Sequence, residues 1–169
     1  MKTCVILFLL GLGLLAGGCS PKAKEISSLQ RKEAATLVSE AEFALQLKDY
    51  ARAEGLFAKA VELCPDTGKY GVDLGSVRVR LGKKDGAKAA YQVALKAYED
   101  EAKLPETTEA GPMLRQVYVL ALLGRVEDAR SVLAKAQKKY PESRQVRAFV
   151  EGKQIDKMIA DPSFKLIAL

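Results

Sequence analysis

Three cysteines, at positions 4, 19 and 64, are the strongest nucleophiles in the chain. A thiol reacts as its thiolate and only where another molecule can reach it. Cys19 meets the second condition, because the small residues Ala16-Gly17-Gly18 directly precede it. Cys64 lies inside an apolar helical pattern and reads as a small packing residue. The chain has no His, which removes the commonest general base and metal ligand and every Ser-His or Cys-His nucleophile pair. No Gly-rich phosphate loop follows a strand pattern, and no pair of cysteines has metal-ligand spacing. The 21 Asp and Glu residues could in principle supply the two carboxylates a glycosidase needs, but no pair stands out among them. The expectation is a protein with no catalytic residue, no metal and no cofactor. A cell-wall hydrolase using paired carboxylates is the rival reading.

The segment that leads to Cys19 has the parts of a secretory signal. Lys2 gives a positive start, Val5–Leu15 is apolar apart from Gly11 and Gly13, and the exit is built of small residues. The apolar run is shorter than the roughly 20 residues a membrane-spanning helix needs. Residues 1–18 are therefore expected to be a signal peptide. Leu15-Ala16-Gly17-Gly18-Cys19 resembles a bacterial lipobox, with Ala16 where Leu is more frequent. The resemblance implies that Cys19 carries the lipid and becomes the first residue of the mature protein, placing it in the cell envelope. Two or more acyl chains make such an anchor durable, where one holds only marginally. Residues 19–30 would form a short tether. In enteric lipoproteins a residue other than Asp after the Cys directs the protein to the outer membrane, and Ser20 fits that rule. The formal charge of +6 comes from dispersed Lys and Arg, which argues against a nucleic-acid partner.

Beyond the tether the chain repeats itself. Ala53, Phe57 and Ala60 recur 34 residues later as Ala87, Tyr91 and Ala94, and a further 42 residues on as Ala129, Leu133 and Ala136. An apolar helical stretch precedes each set, at Ala34–Leu47, Tyr70–Leu81 and Met113–Leu123, and a polar break separates the two. Gly82 and Gly124 stand where a helix C-terminus takes a left-handed residue. Pro65 and Pro141 follow the second helix of the first and third sets. Each unit thus reads as a helix hairpin. Ala41, Gly75, Ala53, Ala87 and Ala129 are small so that a neighbouring helix can pass close by, and Phe57, Tyr91 and Leu133 fill the space between.

The run Asp49–Pro65, with its small–aromatic–small–proline spacing, resembles the second helix of a tetratricopeptide repeat. Residues 34–67, 68–101 and 110–143 resemble three such repeats within 31–143. Glu40 and Gln116 stand where Leu is usual, the Trp is missing, and Glu99 replaces the closing Pro of the second unit. The resemblance implies an all-α, right-handed superhelix of three hairpins. Its first helices would line a groove for a protein or peptide partner, formed by Glu42, Lys69, Asp73, Ser76, Arg80, Arg115, Tyr118 and Leu122. The family's clamp for terminal carboxylates needs Lys and Asn where this chain has Val38 and Glu42, so that activity is not implied.

Two regions lie outside the repeat. The acidic stretch Glu99–Glu109 accommodates the longer spacing and is expected to extend a helix and then loop through solvent. Residues 144–169 are expected to form a capping helix and tail. Ser143 would cap a helix running to about Glu151, with Val146, Phe149 and Val150 inward and Gly152 as a break. Phe164, Leu166 and Ile167 would fold back on the last hairpin. The function implied is a lipid-anchored envelope adaptor, with a self-associating structural lipoprotein as a further alternative.

Overall fold

The computed structural model describes residues 25–169, so Cys19 and the segment before it lie outside the described residues. Among these residues the secondary structure is helical throughout: α1 Ser28–Gln46, α2 Tyr50–Leu63, α3 Gly68–Arg80, α4 Lys84–Glu101, α5 Gly111–Leu122, α6 Val126–Lys139, α7 Arg144–Glu151, α8 Gln154–Ala160 and α9 Pro162–Lys165. The helices pack as the hairpins α1/α2, α3/α4 and α5/α6, and successive hairpins meet through α2 with α3 and α4 with α5. None of them is long and apolar enough to cross a membrane.

The same turn is built three times. In the second hairpin the Gly82 N–H donates to the Val79 carbonyl at 2.9 Å and the Lys83 N–H to the Arg78 carbonyl at 2.8 Å. Gly124 and Arg125 repeat this pair of bonds in the third hairpin, and Lys48 and Asp49 in the first. These bonds satisfy carbonyls that a helix end leaves open, and they need a left-handed residue. Gly82 and Gly124 supply it at φ 72° and 69°, whereas Lys48 is held at φ 59° with a Cβ that disfavours it. Lys48→Gly is therefore expected to raise stability by about 1 kcal/mol, read as a higher denaturant midpoint at unchanged slope.

Small residues let the hairpins close. A Cβ built on Gly75 would lie 2.3 Å from the Tyr91 ring, and one on Gly68 would lie 2.6 Å from the Tyr98 ring. Gly71 lies equally close to α4, with 2.9 Å from its Cβ position to the Ala90 carbonyl. This glycine face of α3 sets Tyr91 and Tyr98 deep between the helices. In the first hairpin Ala34, Ala41, Ala44, Ala53, Phe57 and Ala60 are completely buried, with Cys64 beside them. Burial pushes the Cys64 thiol pKa up, which suits packing rather than reaction.

Glu54 ties the first two hairpins together. Its carboxylate accepts from the Arg78 guanidinium at 3.0 Å and from the Lys83 ammonium at 2.5 Å, and its side chain is only 15% exposed. The Lys83 bond holds the carboxyl below the usual Glu range, with the Arg78 bond adding to it against the opposing effect of burial. A depressed folded pKa means stability that is present above the unfolded pKa and lost as pH falls through the folded one. Glu54→Gln should cost on the order of 1 kcal/mol at neutral pH. In paired thermal melts the gap to the parent should narrow as the pH falls below the usual Glu range and Glu54 is protonated in the folded chain.

Three features differ from the sequence reading. The first repeat starts at Ser28 rather than Ala34, so its opening turns use part of the expected tether. Ser27 and Gln30 cap each other's backbone there as a capping box. Gln116, at a site where Leu is usual, is buried and donates its amide to the Tyr98 carbonyl at 3.0 Å, binding α5 to α4. The capping helix forms over Arg144–Glu151, and the expected tail beyond it adds two further short helices, α8 and α9. Gly152 ends α7 as expected, and Lys153 then turns the chain at φ 48° into α8. The acidic stretch lengthens α4 to Glu101, where Thr107 Oγ1 donates to the Glu101 carbonyl at 2.6 Å.

Candidate functional site

The first helices α1 and α3 carry an ion cluster at one end of the expected groove. Lys69 Nζ lies 2.7 Å from Asp73 Oδ2 and 3.3 Å from Glu42 Oε1, so one ammonium joins a carboxylate on each helix. Burial pushes the Asp73 carboxyl pKa up, against the lowering effect of Lys69. Burial would lower the Lys69 pKa, but its bonds to Asp73 and Glu42 raise it overall. On α5 the Arg115 guanidinium lies 2.6 Å from Glu101 and 5.1 Å from the centre of the Tyr98 ring.

Between these two paired cations lies an open apolar pocket of about 280 Å³. Val72, Tyr98, Leu114, Tyr118 and Phe149 form its walls, with Lys69 and Arg115 at its sides. The arrangement suits an apolar side chain flanked by polar groups that can bond either to each other or to an arriving backbone. The charged groups at its rim are cations paired with carboxylates.

Part of the expected groove is covered by the chain's own C-terminal segment. The Phe164 ring packs edge-on against Tyr118 with centroids 5.7 Å apart. The Tyr91 hydroxyl, 3.4 Å from Ser76 Oγ, donates to the Ile167 carbonyl. The Leu169 N–H donates to the Leu122 carbonyl at 2.9 Å, which closes an open group at the end of α5. Burial raises the Tyr91 phenol pKa to about 12, so it remains a hydrogen-bond donor at any physiological pH.

The eight expected lining residues therefore divide. Glu42, Lys69, Asp73, Arg115 and Tyr118 surround the open pocket or its ion cluster, while Ser76 lies beneath the returning tail. Arg80 instead stands 5.9 Å over the Tyr50 ring of the first hairpin. Leu122 corrects the sequence reading. It is completely buried, in the cluster that also holds Ile155 and Phe164, and is closed to a partner in this structure. Val72, Tyr98, Leu114 and Phe149 were missed as pocket residues. Tyr98 belongs to a second helix and reaches the pocket only because Gly68 leaves room for its ring.

Residues 72–100 and 113–143 match the family model described as Tetratricopeptide repeat, which places the second and third hairpins in that pattern. These two hairpins are similar to tetratricopeptide repeats. The first hairpin lies outside the match yet shares its turn geometry with the other two repeats. No match was found among curated proteins or among solved structures. Repeats of this kind stack so that each contacts only its neighbours and leaves an extended face for binding.

Proposed function

We propose that the protein is a lipid-anchored adaptor of the bacterial envelope, held to the outer membrane by Cys19 and docking another envelope protein on the first-helix face of its repeats. The observation that carries the docking half is the apolar pocket between Lys69 and Arg115, walled by Val72, Tyr98, Leu114 and Tyr118. An apolar hollow ringed by aromatic rings and an Arg has the make-up of a binding hot spot. The anchoring half rests on the signal-like segment and the small residues before Cys19. Together they describe a docking surface kept near one membrane, without chemistry of its own.

The test replaces Val72 and Arg115 by Glu, which puts two acids on the pocket and leaves Ser76 and Tyr91 untouched. Proteins recovered with the intact chain from crosslinked envelopes should fall at least tenfold in yield with the double variant, which should keep a cooperative thermal transition. An unchanged set of recovered proteins would remove the pocket from the binding surface.

A further inference from the structure

The C-terminal segment lies on this face as a ligand would. Phe164 offers an aromatic ring to Tyr118, and three residues later Ile167 offers its backbone carbonyl to the Tyr91 hydroxyl. Leu166 and Lys165, between those contacts, point away and are exposed. The segment is short, and Phe164 is its one buried residue, set in the cluster that also holds Leu122. α9 has four residues, too few to be stable as an isolated helix. α8, which leads into the segment, borders a cleft of about 360 Å³ with α6 and α7, spanned by the pair Arg130–Asp156 at 2.7 Å. Tyr118 is shared. One part of it packs against Phe164, and another forms a wall of the open pocket. Whatever enters the pocket reaches the ring that seats the tail.

We propose that Asp161–Ala168 is an internal ligand of the groove, and that the partner presents a peptide of the same chemistry, an aromatic residue followed three positions later by an aliphatic one, which binds by displacing it. This rests on the reading of the face as a docking surface and names its partner class and its regulation. The closed state covers one part of Tyr118 and the end of α5. The open state exposes them beside the pocket, so the bound peptide spans both halves. Competition from a covalently attached segment lowers the apparent affinity of a partner by the fraction of chains that are closed.

The probe is a fluorescent peptide of residues 161–169, titrated into the intact chain and its variants by anisotropy. Phe164→Ala should bind it at least tenfold more tightly than the parent, and adding Tyr118→Ala should abolish the gain. Equal binding by the parent and Phe164→Ala would overturn the proposal. So would loss of a cooperative melt in Phe164→Ala, since the segment would then be part of the core. Native-state hydrogen exchange of the parent is the second measurement. The Ile167, Ala168 and Leu169 amides should exchange at least a hundredfold faster than those of Ala94 and Val119. Exchange of all five together would contradict an independently opening tail. A parent dimer that dissociates on Phe164→Ala would place the tail in a neighbour's groove and reject the internal assignment. Failure here with the Val72/Arg115 result intact would leave a docking pocket with no internal ligand. Peptide uptake without any loss of recovered proteins would instead reject the adaptor reading.

Discussion

Gly75→Leu is expected to cost 3 kcal/mol or more (on the order of the largest overpacking penalties), while Gly55→Leu raises stability by about half a kcal/mol. The two positions share a residue type and a helical backbone, so the intrinsic gain from replacing glycine in a helix is the same at both. Their surroundings decide the sign. At Gly75 the first added carbon would come 2.3 Å from Tyr91, whose ring is completely buried and whose hydroxyl is engaged by Ser76 and Ile167. Neither side can give way without separating α3 from α4, the pair that joins the first hairpin to the third. At Gly55 nothing lies within 4 Å of the added carbon. Thermal melts of the two variants, run beside the parent, check both. With a domain stability of roughly 5–15 kcal/mol, the Gly75 variant should melt tens of degrees lower or without a cooperative transition. Equal melting of the two variants would mean that α3 and α4 do not approach closely.

Cys19→Ala should abolish acylation altogether, whereas Cys64→Ala should leave it unchanged. Cys64 is 1% exposed, with its thiol pKa raised by burial among Phe57 and Ala60, and no acyl donor can reach it in the folded chain. Cys4 falls within the segment expected to be removed. Metabolic labelling with palmitate, followed by immunoprecipitation, distinguishes the three positions. Label retained in Cys19→Ala would move the anchor elsewhere and take the outer-membrane placement with it. Residues 25–169 should melt alike in the parent and this variant, since no described contact depends on the anchor.

The repeat was legible because close packing leaves a periodic trace. Ala53, Ala87 and Ala129 are completely buried, and Phe57 and Tyr91 fill the gaps as expected. Gly82 and Gly124 marked two turns through their left-handed backbone. The third turn was visible only as a polar break, because Lys48 adopts the same conformation at a cost no pattern displays. The start of α1 was missed because its signal is a local exchange of hydrogen bonds between Ser27 and Gln30 and not a hydrophobic period. Gln116 looked like a defect in the pattern until its bond to the Tyr98 carbonyl was seen.

The groove was legible where first-helix side chains face outward and illegible where other elements reach it. Lys69, Asp73 and Arg115 are first-helix positions that the resemblance to the repeat family implies. Tyr98 and Phe149 come from α4 and α7, and their arrival depends on tertiary packing. The return of Phe164 and Ile167 was foreseeable from their apolar character, yet their seat on Tyr118 and Tyr91 was not, and that seat is why Leu122 is unavailable. Leu166, expected to turn inward with them, remains 60% exposed. Apolar character alone predicts that a tail folds back; which of its residues make contact depends on the surface it meets.

If a protein partner docks on the first-helix face beside Tyr118, a photo-crosslinking amino acid placed at Arg115 in living cells will capture it, with Lys59 on α2 as the comparison position. Both side chains are exposed, so neither substitution should disturb the fold. A discrete crosslinked protein is expected from position 115 and none from position 59, with the product increased by Phe164→Ala. Equal products from both positions, or a product from position 59 alone, would contradict it.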